Sequence, residues 1–433
     1  MKNTLSLLAA SAALSLHAAA PSIPTGSVTM TQAESSRQVI ITYDLQNAPA
    51  IVTVDILTNG VTIGAANLKY FAGDVHRVIQ PGTGKRMTWR PDKAWPGHEI
   101  TDRSVTAKVT AWALNAPPNI MVVDLVVPNQ LDFYADVESL PGKDGVQNDL
   151  YKTDKMVFRK CPAANVTWRM GAPTTEPGYG YRQVAHLVTL SNDFYMGVYE
   201  MTQRQYERIS GKSSTAYYSN KAYYATRPME SLTWAKMRMS DKDGTVDGTY
   251  SWPEHGHDVA PASILGMLRA SVSQRVQFDL PTEAQWEFAC RAGVGTGLYT
   301  GKEITAERAA CANVAEIARY KFNSGYDVGT PAADCEPNRG TALVGSYKPN
   351  AWGFYDMCGN VSEYCLDYWK DDISDVDPET GSLVQKGNRS RRGGGLSDNP
   401  LSVRSAGRIE YAELTTVDTG SGFRLAALAE IGE

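Results

Sequence analysis

Gly353-Phe354-Tyr355-Asp356-Met357-Cys358-Gly359-Asn360-Val361-Ser362-Glu363-Tyr364 brings two carboxylates, one amide and two turn glycines into a single short stretch flanked by aromatic side chains. Carboxylates this close repel one another unless a positive group lies between them. A hard cation that takes oxygen ligands is the simplest such group.

Working outward from this turn, two helix starts are legible. Thr202-x-x-Gln205 and Thr282-x-x-Gln285 are capping boxes, in which the Thr hydroxyl and the Gln amide satisfy free backbone donors of the first turn. The first helix carries Tyr206 and Ile209 on one face and stops near Gly211. The second carries Trp286, Ala289 and Cys290 at helical spacing and stops at Gly293. The aromatics of both are assigned to the core. Beyond Gly293 the chain is rich in Gly, Pro, Asn and aromatics, and long regular elements are absent. Irregular backbone of that length is kept ordered by bound ions, disulfides or buried polar networks.

Residues 27–115 have a period of two. Val39, Ile41, Tyr43 and Leu45 alternate with polar residues, as do Val52, Val54 and Ile56; Asn59-Gly60 supplies a hairpin turn before Val61 and Ile63, and Val105, Ala107, Val109 and Ala111 form a last strand. This predicts a small all-β sandwich over 21–116 with a docking or spacer role. Asn115-Ala116-Pro117-Pro118 opens a linker over 117–150 that ends in the turn-rich Leu140-Pro141-Gly142-Lys143-Asp144-Gly145, and the larger domain takes up 151–433.

Met1–Ala20 has one Lys, then an apolar run from Leu5 to Leu16, then Ala18-Ala19-Ala20. It reads as a secretory signal peptide and is too short to span a bilayer. The mature chain is therefore expected to be periplasmic or extracellular, with no membrane span. A formal net charge of −5 without a long Lys/Arg cluster argues against a nucleic-acid partner. Cysteines 161, 290, 311, 335, 358 and 365 would then sit where disulfides persist, and their spacing fits no CxxC zinc pattern. Cys311 and Cys335 bracket a Gly/Pro/Asp-containing loop and are the candidate bridge; Cys290 reads as a small buried hydrophobe.

Five motifs resemble, in order, the formylglycine-generating enzyme (sulfatase-modifying factor) family: Phe194–Thr202, Leu280–Glu287, Trp352–Val361, Arg392-Gly393-Gly394 and Gly422-Phe423-Arg424. The resemblance implies an α+β, C-type-lectin-like fold with little regular secondary structure. It also implies two calcium sites. One would use the side chains of Asp356 and Glu363 with the carbonyls of Gly359 and Val361. The other would use Asn313, the Val314 carbonyl, Glu336 and the Asn338 carbonyl. Mixed carboxylate, amide and carbonyl oxygens suit calcium better than zinc.

Oxidases of this family resemble one another in a cysteine pair, a few residues after a Gly-Gly-Ser motif, that holds Cu(I); soft Cu(I) prefers thiolates. Here residues 392–408 read Arg-Gly-Gly-Gly-Leu-Ser-Asp-Asn-Pro-Leu-Ser-Val-Arg-Ser-Ala-Gly-Arg and contain no cysteine. The motif's serine is Gly395, and the family's Trp between Val361 and Glu363 is Ser362. Copper is therefore not expected, and no catalytic residue is assigned. Cys358 and Cys365 are read as a disulfide or as buried thiols rather than copper ligands. His255-Gly256-His257 could ligate a metal on a strand but has no third histidine nearby, and reads as a solvated loop. Arg404, Arg408 and Arg424 read either as an anion-binding groove or as salt-bridge partners. No Ser-His-Asp signature or phosphate loop stands out.

Three functional readings follow. The first is an exported, calcium-stabilised non-oxidase member that binds a protein, peptide or glycan. The second is an active oxidase that converts a sulfatase cysteine to formylglycine with rearranged ligands. The third is a non-haem iron oxygenase resembling the ergothioneine sulfoxide synthase.

Overall fold

The computed structural model describes residues 19–433 except 34–35, 98–103, 220–222, 241, 243–244, 326–339, 380, 382–387 and 412–413. The Met1–Ala20 leader falls almost wholly outside the described residues.

The N-terminal alternation builds what period two dictates. Strand Val39–Leu45 buries every second residue, from Val39 through Ile41 and Tyr43 to Leu45. Its sheet runs Thr29–Gln32, Val39–Leu45, Gly82–Trp89, Phe71–Gly73; a second sheet centres on Ala50–Thr58, which pairs along its length with Val105–Trp112. The two sheets share one core containing Ile41, Tyr43, Val52, Val54, Ile56 and Trp89. Asn59 and Gly60 both have positive φ, 52° and 78°, as the hairpin turn requires.

The stretch 117–150, expected as a linker, instead carries two strands of the main sheet. Ile120–Asp124 and Leu131–Tyr134 lead a six-stranded antiparallel sheet that continues through Lys155–Cys161, Phe194–Gly197, Ala426–Leu428 and Phe278–Asp279. All five residues of Ile120–Asp124 are buried, so the strand has no alternation to reveal it. The sheet has a core on each face: Tyr195 belongs to one, Phe194 and Met196 to the other.

Helices are short, the longest described being the nine residues of Glu283–Arg291. None of them is long and apolar enough to cross a membrane. Both capping boxes form: Thr202 starts Gln203–Ser210, which ends at the left-handed Gly211, and Thr282 starts Glu283–Arg291, which ends at the left-handed Ala292. Tyr206 and Trp286 are buried, as their spacing implies. A second, four-stranded sheet runs Arg408–Tyr411, Arg389–Arg392, Ser362–Tyr368, Ser421–Gly422, the last pair parallel. It places the opening turn next to the segment where the family's thiols would lie.

Candidate functional site: a buried carboxylate turn and a closed segment without thiols

The turn from Gly353 to Val361 is tight because its backbone is. Asp356 and Asn360 have φ of 55° and 63°, and a Cβ on Gly359 would stand 2.4 Å from the Arg319 carbonyl, so only glycine fits there. Inside the turn three carboxylates meet, not the two read from the motif. Glu200 accepts the Val361 N–H at 3.2 Å and the Asn360 side-chain amide at 2.6 Å. Burial, then the nearby charges of Asp356 and Glu363, push the Glu200 carboxyl well above the usual range. Its signal lay in the quoted motif: one acid in the apolar run Phe194–Met201 is an acid carried into the core.

Asp356 and Glu363 differ sharply. The Asp356 Oδ2 accepts the Gly345 N–H at 2.6 Å, while Oδ1 is buried with no partner. Burial pushes this carboxyl up to about 6, against the pull of the Gly345 N–H and Arg424. Glu363 is saturated. Arg424 donates to it from Nε at 2.9 and 2.8 Å and from Nη2 at 2.7 Å, and the Trp286 indole donates at 2.6 Å. Arg424, fully buried, loses by desolvation but is held above its usual value by Glu363.

This donor set can be tested against calcium. The orphaned Asp356 Oδ1 fits an oxygen-seeking cation, and the carbonyls of Gly359 and Val361 accept no hydrogen bond among the described residues. Glu363 does not come free: its charge is already met by Arg424. Asp356, Gly359 and Val361 would hold the ion, with Glu363 fixing the start of the strand Ser362–Tyr368 that follows them. At the second site Asn313 and Val314 lie in the short helix Ala312–Ala315, where the Asn313 amide donates to the Glu303 carbonyl at 2.9 Å and the Val314 carbonyl accepts from Ile317 at 3.0 Å. Glu336 and Asn338 lie outside the described residues, as does Cys335 of the candidate bridge. Cys311 is buried, its Sγ facing the Thr305 hydroxyl at 3.3 Å.

The segment 393–408 is closed. The 418–421 stretch lies against it: the Ser362 N–H donates to the Gly420 carbonyl at 2.9 Å, and the Ser362 and Ser421 hydroxyls meet at 2.9 Å. Arg391 crosses beneath, bonding Ser362 Oγ at 2.9 Å and Asp418 at 2.7 Å. A Cβ on Gly395 would stand 2.8 Å from the Gly420 carbonyl and 3.2 Å from the Ser362 nitrogen. The two departures from the oxidase motif, Gly395 and Ser362, are thus one structural event. Glycine at 395 and serine at 362 leave room for residues 420 and 421 to lie against both.

The arginines are structural, not a groove. Arg404 pairs with Glu176, Arg408 with Glu283, Arg392 with Glu283 and Glu287, all buried. The His255-x-His257 stretch is not simply a solvated loop: His257 Nδ1 lies 2.8 Å from Asp279, which also takes a bidentate Arg238, and its ring packs on Trp252. His255 stays exposed. Among the described residues no cluster of three metal-ligating side chains of the His/Cys/Asp/Glu type stands out. Cys358 and Cys365 are both buried thiols and are not bonded to each other.

Residues 163–429 match the family described as sulfatase-modifying factor enzyme 1-like domain. The chain belongs to that family. It is similar to a chaperone protein LppX of Paenibacillus barcinonensis, 29% identical over 46% of this chain and 70% of that one. It is also similar to formylglycine-generating enzymes of Thermomonospora curvata, 35% identical over 25% of this chain and 37% of that one, and of Bos taurus, 27% identical over 41% and 49%. It therefore spans about half or less of these two enzymes. A solved structure, PvdO from Pseudomonas aeruginosa, aligns over 63% of this chain and 94% of that one with 20% identity and a TM-score of 0.48.

Proposed function

We propose that this member of the sulfatase-modifying factor family is an exported, calcium-stabilised protein that binds a protein, peptide or glycan rather than oxidising a sulfatase cysteine. The observation that carries it is the closure of the 393–408 segment. It holds no thiol, and the chain from Asp418 to Ser421 packs onto Ser362 and against Gly395. Copper would find no soft ligand there. The leader-like Met1–Ala20 supports export, and the unpartnered Asp356 oxygen supports the calcium. The relative matched over most of its own length carries the name of a chaperone rather than of an oxidase, in line with a binding member.

The test is a copper titration of the purified chain together with oxygen uptake in the presence of a cysteine-containing sulfatase peptide. Neither tight copper binding nor oxygen consumption is expected. Robust signals in both would overturn the reading.

A further inference from the structure

Two buried thiols that this function leaves unused belong to one core cluster. Cys290 sits in the last turn of the Glu283–Arg291 helix, and Cys358 follows Asp356 in the tight turn; both are completely buried. The Cys290 Sγ points at the carbonyl of Met357, the residue just before Cys358, at 3.9 Å, and Cys290 lies near enough to act on the Cys358 thiol. The backbones that carry them are already tied together. The Asn350 side-chain amide donates to the carbonyls of Ala289 at 2.7 Å and Cys290 at 3.0 Å, while Asn350 Oδ1 accepts the Phe354 N–H at 3.1 Å. Helix end and turn are thus held at several points around the two sulfurs. Of the other three described cysteines, Cys311 faces Thr305 and Cys365 the Glu363 carbonyl.

We propose that Cys290 and Cys358 form a disulfide site in the exported chain. The reaction is thiol–disulfide exchange with an oxidising disulfide of the kind that acts on newly exported proteins. One cysteine thiolate attacks the oxidant's disulfide, giving a mixed disulfide and releasing one thiol. The second cysteine then displaces the other half, so one intrachain S–S bond forms and the oxidant leaves as two thiols carrying the two protons. Both thiols are completely buried in the folded protein, so exchange belongs to the folding chain, before the core closes over them. The bond joins the helix whose Trp286 holds Glu363 to the turn that carries Asp356, and keeps that turn from opening. The site rests on the export reading for its oxidant and on none of the calcium reading.

Alkylation of the full chain in denaturant, before and after reduction, followed by peptide mapping, tests this. Protein recovered from an exporting host is expected to release two thiols only on reduction, with one cross-linked peptide pair containing Cys290 and Cys358. In Cys358→Ser, Cys290 becomes alkylatable without reduction. Refolding in a mixture of oxidised and reduced glutathione separates the two ideas. If the pair forms with glutathione but not in the exporting host, export fails and the disulfide site stands. If both cysteines are alkylated without reduction under both conditions, the site is overturned.

Discussion

Asp356 in the turn and Glu363 in the strand that follows it are both carboxylic acids, yet the protein treats them oppositely. Glu363 is matched by Arg424 and Trp286; the Asp356 carboxyl is buried half-partnered and raised from 3.8 to about 6. In chelator the folded state therefore keeps a proton that the unfolded chain has released. That contribution is full below the ordinary carboxyl value and is lost as pH rises through about 6, on the order of 3 kcal/mol. The melting midpoint in chelator should fall between pH 4.5 and pH 7, with Glu200 adding in the same direction. Asp356→Asn should flatten the part that belongs to this residue. Added calcium should raise the midpoint at pH 7 in the parent and not in the variant; no response in the parent would remove the cation from this turn. Glu363→Gln strands a buried guanidinium and should cost about 3–5 kcal/mol in urea unfolding. Because Arg424 rather than an ion takes that charge, the loss should persist in chelator.

Among the elements, the two capped helices were legible because a cap is a local device. Thr202 and Thr282 meet partners three residues away, and the pattern needs no tertiary contact to be recognised. Each hydroxyl does more than cap: Thr202 donates to the Lys152 carbonyl at 2.7 Å and Thr282 to the Pro378 carbonyl at 3.0 Å. Thr202→Ala and Thr282→Ala should each cost about 1–2 kcal/mol by thermal or urea unfolding, toward the upper end of cap substitutions. The strand Ile120–Asp124 was illegible for the opposite reason. Its residues are apolar without alternation, it follows Pro117-Pro118, and only its place between two neighbours makes it a strand. The His255-x-His257 stretch was misread on similar grounds, since the Arg238–Asp279 pair that His257 joins comes from two distant segments.

At the scale of the whole molecule, the N-terminal sheets are docked on the main sheet rather than strung from it. Phe133 N–H donates to the His76 carbonyl at 2.7 Å, His76 Nδ1 lies 2.9 Å from the Phe133 carbonyl, and the imidazole stacks on Tyr134 at 4.5 Å. Ile51 packs into the core of the larger domain while its neighbour Val52 stays in its own. These contacts cover the edge strand Leu131–Tyr134, which would otherwise offer free backbone groups. Burial lowers the His76 ring from 6.5 to about 4. A lowered base contributes stability that is present above pH 6.5 and is lost as pH falls toward 4, about 2 kcal/mol after allowing for partial exposure. Acid should therefore loosen this junction, and His76→Asn should remove that sensitivity; hydrogen exchange at Phe133 between pH 7 and pH 4.5 would read it directly. The residues of the chain by themselves determined the family, the capped helices, the N-terminal alternation and the absence of thiols after Gly394, because each is a pattern of short range or of residue identity. Only the tertiary structure decided that Glu363 belongs to Arg424, that Glu200 shares the turn, that Cys290 meets Cys358, and that residues 418–421 close over Gly395. Those are meetings of segments tens to more than a hundred residues apart, and charge and burial choose such partners only once the chain has packed.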